Sequence, residues 1–271
     1  MAVPGGVPRG VDALTPNIAR IYDYLLGGKD NFAADRAAAA RLLAAIPDVA
    51  AIAHDGREFL ARVVRYLAAD AGITQFLDLG AGLPTQASVH ELALRHTPAA
   101  RVAYVDNDPV VWSHGQALLA EADRAVMVQA DLRDPDSILH HPAVVGLLDL
   151  SSPVAMLCAS TLHFVADQDE PGQILAAYRD QLAPGSFLVI SHASVVAPED
   201  DPDGDVDSAT KVYSQASAHL HARTFDQILH LFDGFELIDP GLVWMPLWRP
   251  DPGTFPAGRV RSLRAGVGRK P

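Results

Sequence analysis

The sequence predicts an α/β fold in which a mostly parallel sheet is covered on both faces and preceded by a block of helices. Three observations predict it. Five short, continuously apolar segments recur between residues 75 and 191, the pattern of strands buried on both faces. The stretches between them have helical periodicity and are long enough to cross from one parallel strand to the next. Residues before 73 carry helical patterns only. A chain of 271 residues fits one large domain, or one domain with an appendage, and can bury a core that needs no staple.

The elements follow in order. The opening MAVPGGVPRG is rich in proline and glycine, so residues 1–14 are expected to be disordered. Thr15 and Pro16 pair an N-cap hydroxyl with proline at the first helical position. Ile18, Ile21, Tyr22, Leu25 and Leu26 then form an apolar stripe that Gly27 and Gly28 stop. A second helix is expected over 33–46, before Pro47. A third is expected over 48–70, with Phe59, Val63, Tyr66 and Leu67 on one face and Gly72 as terminator. Residues 15–72 therefore make a helical cap. Strands are expected over 75–79, 102–106, 125–129, 153–158 and 186–191, and helices over 85–96, 109–121, 134–148 and 171–182. A last helix over 224–232 precedes two strands, 235–239 and 242–248. Joined by Pro240 and Gly241, these read as a hairpin that gives the sheet an antiparallel strand. The sheet domain then spans 73–250 and leaves 251–271 as a C-terminal tail.

Composition excludes several classes. With 21 basic against 33 acidic residues the net charge is −12, which argues against a nucleic-acid partner. No apolar run approaches the roughly 20 residues needed to span a bilayer, and the first residues lack a signal peptide's basic start and apolar core. The single cysteine, Cys158, rules out a disulfide framework, and its apolar segment makes it a small buried hydrophobe. A cytoplasmic protein acting on a small molecule is expected. The acidic run at 199–207 fails as an EF-hand: a loop starting at Asp201 would need glycine and glutamate where Val206 and Val212 stand. It reads as a solvated loop.

The chemistry gathers where the strands end. Asp78, Gly80, Ala81 and Gly82 close the first strand, where glycines let the backbone approach a nucleotide-type ligand and the next helix offers free N–H groups. The second strand ends in Asp106, placed to accept two ribose hydroxyls, with Asn107 beside it within reach of a base. After the third strand come Asp131, a carboxylate for an adenine amino group, and Leu132. Asp78 and Asp131 have plainer readings as caps of the helices that follow, and Asn107 as a residue that shapes its turn. Ser160 opens the turn after the fourth strand. His163 in that turn is either a general base facing the transferred group or a core histidine orienting the loop. His192 after the fifth strand is a weaker candidate. The polar turn 27–32 is either a helix connector or a lid carrying Tyr22, Lys29 or Asn31 to the site. The NAD fingerprint wants glycine or alanine where Thr85 stands, which disfavours a nicotinamide enzyme.

The pattern D-x-G-x-G with acids after strands two and three resembles a class I S-adenosylmethionine-dependent methyltransferase. The resemblance narrows further. TPNIARIYDYLLGGKDNF (15–32), FLDLGAGLPT (76–85), YVDNDP (104–109), ADLRDP (130–135), LHFV (162–165) and PGS (184–186) with Ser191 and His192 stand in the order found in one family. They are similar to the bacterial S-adenosyl methyltransferase family once catalogued as domain of unknown function 574, from Thr15 to about Pro250. The resemblance implies a Rossmann-like sheet of seven strands, mostly parallel with an antiparallel C-terminal strand, under an N-terminal helical cap. It implies S-adenosyl-L-methionine as cofactor and S-adenosyl-L-homocysteine as product, but not the acceptor. Attack by an acceptor oxygen or nitrogen is expected, and since such transfer needs positioning and loss of a proton, no metal is required. The cofactor shell would be Asp78, Gly80, Ala81, Gly82, Asp106, Asn107, Asp131, Leu132 and Ser160, with His163 and Tyr22 at the reacting end. The superfamily's third glycine falls at Pro84, which has no N–H and is expected to start the next helix instead. A sensor that binds the cofactor without transfer, and an NAD-dependent oxidoreductase, are the alternatives at this point.

Overall fold

A computed structural model describes residues 11–84, 88–119, 122–196, 204–253 and 262–271. Residues 1–10 of the segment expected to be disordered, the helical start at Thr85, and positions 199–203 of the acidic run lie outside the described residues. Residues 11–14 of that first segment are ordered, since Asp12 Oδ1 accepts from the N–H groups of Leu14 and Thr15 (2.8 and 3.1 Å) and Asp12 O from Arg20 Nη2 (3.0 Å).

The cap consists of α1 (Ile18–Leu25), α2 (Ala33–Ala45) and α3 (Val49–Arg65), which runs on into one π-helical turn, Tyr66–Asp70. The cap residue of α1 is Asn17 rather than Thr15, because its side chain accepts from the N–H groups of Ala19 and Arg20 (2.8 and 3.4 Å). Ile21 and Leu25 face inward against Ala38, Ala39 and Leu42 of α2. Beneath the cap run β1 (Gln75–Leu79), α4 (Val89–Leu94), β2 (Arg101–Asp106), α5 (Pro109–Leu118) and β3 (Ala125–Gln129). Next come α6 (Pro135–Leu139), α7 (Pro142–Leu147), β4 (Ala155–Ala159), α8 (Pro171–Gln181) and β5 (Phe187–Ala193). The expected helix over 134–148 is two helices, since Pro142 has no N–H to continue the first and instead starts the second. Pro84 itself is not helical, and the next described helix, α4, begins behind Ser88, whose N–H donates to Glu91 Oε2 (2.9 Å).

The chain ends with α9 (Asp205–Tyr213), α10 (Phe225–His230), β6 (Glu236–Leu237), β7 (Val243–Trp244) and β8 (Leu263–Arg269). The sheet order is β3-β2-β1-β4-β5-β8-β6, with β7 also on β8. β1 to β5 are parallel, and β8 runs antiparallel beside β5, from Phe187 opposite Arg269 to Ala193 opposite Leu263. β6 and β7 lie along successive stretches of β8 and fill one position, so eight strands occupy the seven expected places.

Two expectations fail here for one reason. Segments 235–239 and 242–248 do not pair as a hairpin; both reach β8, which supplies the antiparallel strand. Residues 263–269 are therefore no tail but an interior strand, although residues 251–253 do lie outside the sheet. The physical cause is Gly266 and Gly268. Their missing side chains leave room for Phe232 and Phe235: a Cβ on Gly268 would stand 2.8 Å from Phe235 Cβ and 3.0 Å from Phe232 Cδ1. The aromatic side chains thus fill the layer that β8 leaves bare.

Apolar clusters cover both faces of the sheet. One holds Phe59, Leu67, Phe76 and Trp248, the other Leu79, Ile138, Met156 and Tyr178. Among the described residues no single helix is long and apolar enough to cross a membrane.

Two outcomes follow from β8. Gly268→Val should overpack this layer and lower stability by about 1–3 kcal/mol in a denaturant titration. A chain ended at residue 250 should lose its cooperative thermal transition in circular dichroism. A cooperative transition at the wild-type temperature in that truncation would mean that β8 is dispensable.

Candidate functional site

A cavity of about 420 Å³ lies along the carboxyl ends of β1 to β5, roofed by α1, α3 and α9. It brings together Tyr22, Asp78, Gly80, Ala81, Gly82, Asp106, Asn107, Asp131, Leu132, Ser160 and His163, the residues expected in the cofactor shell and at the reacting end, but not His192. Lys29 and Asn31 do not line it. The turn that holds them is tied down by Asp23, whose Oδ2 accepts from the N–H of Asp30 (3.0 Å) and the Nδ2 of Asn31 (2.8 Å). Gly28 is needed there, since a Cβ would collide with that carboxylate. In this arrangement the turn joins α1 to α2 away from the cavity, which the cap reaches through α1 and α3.

The loop after β1 is built on two left-handed glycines. Gly80 (φ +76°) leaves room for Thr161, whose hydroxyl donates to the carbonyls of Leu79 and Ala159 (both 3.1 Å); a Cβ on Gly80 would overlap it. Gly82 (φ +67°) faces open space, and its N–H donates to Asp106 Oδ2 (2.9 Å). Asp106 Oδ1 accepts from the N–H of Asp108 (2.9 Å). Each carboxylate oxygen is therefore aimed by one amide and keeps capacity for a further donor, an arrangement that fits the vicinal hydroxyls of a ribose. A side chain at Gly82 would project into the space such a ligand needs. The residues present fit the implied cofactor.

Burial sets the charge state of this end. It pushes Asp106 up to about 6, against the amides of Asp108 and Gly82, which favour the ionised form. It pushes Asp78 up to about 7, opposed by the charge of Arg57 and reinforced by Asp106. These are two desolvated acids in want of a cation or of donors.

Asp131 departs from its expected role. Its carboxylate is gripped by Arg133, with Nε and Nη2 contacts of 2.6–3.1 Å, rather than left free for an amino group. The hydrogen bond from Arg133 and its charge keep Asp131 ionised below the usual range. Arg133 also reaches Asp169 (3.2 Å). The pair is exposed enough to cost little to open.

At the other end Ser160 holds a left-handed conformation (φ +57°), uncommon for a residue with a side chain, and its N–H donates to Ser191 Oγ (2.9 Å). This bend leads into a 3₁₀ turn, Leu162–Phe164. His163 there is 6% exposed, and its Nδ1 accepts from the N–H of Ala193 (3.2 Å). Neutral His163 thus carries its proton on Nε2. Burial first, then the charges of His192 and Arg223, hold its pKa well below the ordinary histidine value. The expectation of a general base titrating near neutrality is corrected: the free nitrogen is a donor, and protonation at Nδ1 is blocked by an amide. Tyr22 donates its hydroxyl to Ala53 O (2.8 Å), and burial pushes it up to about 12, so it stays a phenol.

Two parts of the site have no counterpart in the sequence reading. Arg223, 3% exposed, donates to Leu162 O (3.0 Å), Val165 O (2.8 Å), Asp167 Oδ1 (2.7 Å) and His192 Nε2 (2.7 Å), which fixes the turn against β5. Nothing in its sequence context marks it. The acidic run, read as a loop, leads into α9, which lines the cavity with Asp205, Val206, Ala209 and Tyr213. The helical spacing of those last three residues was the available signal.

A family model for S-adenosyl methyltransferases matches residues 5–271. A proposed methyltransferase of Thermobifida fusca YX, known from its crystal structure, is 43% identical, with a TM-score of 0.90 over 97% of this chain and 98% of that one. A DUF574 family protein from Streptomyces avermitilis MA-4680 is 37% identical, with a TM-score of 0.90 over 96% and 99%. An O-methyltransferase family protein from Burkholderia thailandensis, 14% identical, shares the fold at a TM-score of 0.52 over 82% of this chain and 59% of its own. No curated protein matches.

Asp78 gives a stability signature. Its folded pKa, about 7, lies above the unfolded value of about 3.9, so between those pH values the folded state holds the extra proton. The stability that Asp78 contributes is full below about pH 4 and is lost as pH rises toward about 7. Asp78→Asn removes that loss, so the variant's melting temperature should climb relative to wild type across this window and then level off. A difference that stays constant with pH would show that Asp78 does not titrate there.

Proposed function

The chain belongs to the S-adenosyl methyltransferase family and is an S-adenosylmethionine-dependent methyltransferase, and we propose that its acceptor atom is an oxygen or nitrogen of a small molecule. The observation that carries this reading is one continuous cavity, which joins the glycine and carboxylate cradle of β1 and β2 to a mostly apolar end at β4 and β5.

In this reading Asp106 holds the ribose hydroxyls, the backbone at Gly80, Ala81 and Gly82 lies against the ligand, and Asp78 faces the cofactor's ammonium. Asn107 and Leu132 border the base, with Asp131 reaching it only if Arg133 yields; Ser160 borders the amino-acid end. When bound, the cofactor supplies an electrophilic methyl group on a sulfonium sulfur. The protein's share is positioning: it holds the acceptor's lone pair in line with that methyl and keeps water from competing. His163 and Tyr22 cannot take up the acceptor's proton, because the first presents an N–H and the second a phenol that is already donating. Each can still orient the acceptor. The attacking atom therefore arrives with its lone pair available, and its proton leaves to solvent.

The decisive experiment is transfer of a labelled methyl group from S-adenosylmethionine into a fractionated metabolite extract. Label should appear in a small-molecule fraction in step with S-adenosylhomocysteine. Label confined to protein or nucleic acid would overturn the small-molecule reading.

Two variants test the residues. Asp106→Asn keeps an acceptor but removes the charge, and charge-assisted hydrogen bonds contribute about 1.5–3 kcal/mol each. Affinity for S-adenosylhomocysteine should drop at least about tenfold in calorimetry, while NAD should not bind either protein. His163→Gln keeps a donor at the position of Nε2, so turnover should stay within about tenfold of wild type. Loss of about 10²–10⁴, with disappearance of an acid limb near pH 6–7, would restore the general base.

A further inference from the structure

The acceptor end of the cavity has a distinct chemistry. The sheet order places β3, β2 and β1 on one side and β4, β5 and β8 on the other. Six charged residues line the cavity, and four of them, Asp78, Asp106, Asp131 and Arg133, stand at the ends of β1 to β3. Arg57 acts on Asp78, and Asp205 opens α9. The opposite end is walled by rings and aliphatic groups, interrupted by the hydroxyls of Ser160, Thr161, Ser217 and Ser262 and by Asp205 on α9.

The rings form a continuous row. His192 meets His163 edge to face at 5.4 Å, His163 meets Phe164 at 4.5 Å, and Phe164 meets Tyr213 edge to face at 5.2 Å. The row runs from the Arg223 clamp to α9, and its last three members line the cavity. Around it the cap contributes Ile18, Leu25, Val49 and Ile52. Among the described residues the Tyr213 hydroxyl has no hydrogen-bond partner, although its ring is packed against the cap cluster. A half-buried phenol normally finds a partner for its hydroxyl.

On the strength of the methyltransferase reading, we infer that the β4–β5 end of the cavity takes a small, flat and largely apolar acceptor without negative charge, and that the Tyr213 hydroxyl selects it by hydrogen-bonding a polar group on its ring. Charge narrows the choice. Among the described residues an anionic group there would give up water against aliphatic side chains and meet the carboxylate of Asp205, whereas a neutral ring loses little. Shape follows from the walls, since aromatic side chains reward a flat π-surface beyond its buried area. Size follows from the volume. About 420 Å³ lies near the lower limit for one drug-sized ligand, and here it must also hold the cofactor.

The test uses three fluorescent probes on the full chain loaded with S-adenosylhomocysteine: 1-naphthol, naphthalene and naphthalene-1-sulfonate. Naphthol should bind at least about tenfold tighter than the sulfonate. Tyr213→Phe keeps the ring and should weaken naphthol about three- to tenfold, the usual share of one hydrogen bond, while leaving naphthalene and S-adenosylhomocysteine unchanged. Sulfonate binding as tight as naphthol would overturn the charge argument. An equal effect of the variant on naphthol and naphthalene would overturn the role of the hydroxyl. No binding of any probe to a protein that still takes up S-adenosylhomocysteine would overturn the acceptor proposal alone. Failure to bind S-adenosylhomocysteine itself would overturn the cofactor reading beneath it.

Discussion

The reacting end of this molecule depends on one buried cation. Arg223 sits where water cannot reach it, so its donors must all find protein acceptors, and the fold brings them from three places. Carbonyls come from the turn after β4, a carboxylate from Asp167, and an imidazole from His192 on β5. The backbone joins in, since the N–H of Arg223 donates to Ala193 O (3.1 Å) and Val195 takes up its carbonyl (2.8 Å). Because the guanidinium donates to His192 Nε2, that ring keeps its own proton on Nδ1, shared with Ala193 O (2.7 Å). Burial then holds His192 down at about 4. A second positive charge beside Arg223 is excluded, and His163 next to it is neutral for the same reason. The clamp thus decides where the turn lies, and its charge adds to burial in keeping both rings neutral. Removing such a cation would leave several carbonyls and an imidazole without a donor, a loss typically of about 3–5 kcal/mol for a broken buried charge network.

The nucleotide end has the opposite design. There the buried charges are negative, and they are aimed by backbone amides instead of being neutralised by a buried cation. Asp106 is held by Gly82 and Asp108, while at Asp78 desolvation outweighs the charge of Arg57. An unliganded protein carries this end at some cost to its stability, and a ligand with hydroxyls and an ammonium offsets that cost on binding. One cavity therefore has an electrostatic gradient along the sheet edge, from acids seeking donors to neutral rings fixed around an arginine. In the proposed reading that polarity sets the cofactor's ribose hydroxyls and ammonium against the acids and leaves the rings to the acceptor.

The sequence made some of this legible and hid the rest for identifiable reasons. Parallel strands buried on both faces write themselves as unbroken apolar runs, so β1 to β5 could be read within two residues. Glycines and acids at strand ends are equally plain, because nothing else in a core explains them. β8 was hidden because Leu-Arg-Ala-Gly-Val-Gly-Arg breaks every strand preference. It is a strand only because β5 offers an edge and Phe232 and Phe235 fill the space above its glycines. The helix α9 was masked by the aspartates before it. The protonation state of His163 could not be read either, since it depends on Ala193 and Arg223, which are thirty and sixty residues away along the chain.

The hidden parts share one side of the molecule, and they are connected. β8 extends the ladder of β5 out to Ala193 opposite Leu263, which places the Ala193 amide under His163. Ala193 also receives the backbone of Arg223, and Arg223 fixes the turn whose Phe164 ring meets Tyr213. From Tyr213 the packing continues into the cap through Ala209, Val212 and Ala216, and Ser217 donates its N–H to Pro16 O (2.8 Å) at the entry to α1. The roof of the acceptor end is therefore assembled from both ends of the chain, with the strand nearest the C-terminus setting the register and the first helix closing the top. Each link is a long-range contact with little trace in local sequence. The cofactor end, by contrast, comes from consecutive strand-to-helix turns whose glycines and acids act where they stand. A site made this way can keep its cofactor chemistry constant while the residues of α1, α9 and the β4 turn change the acceptor.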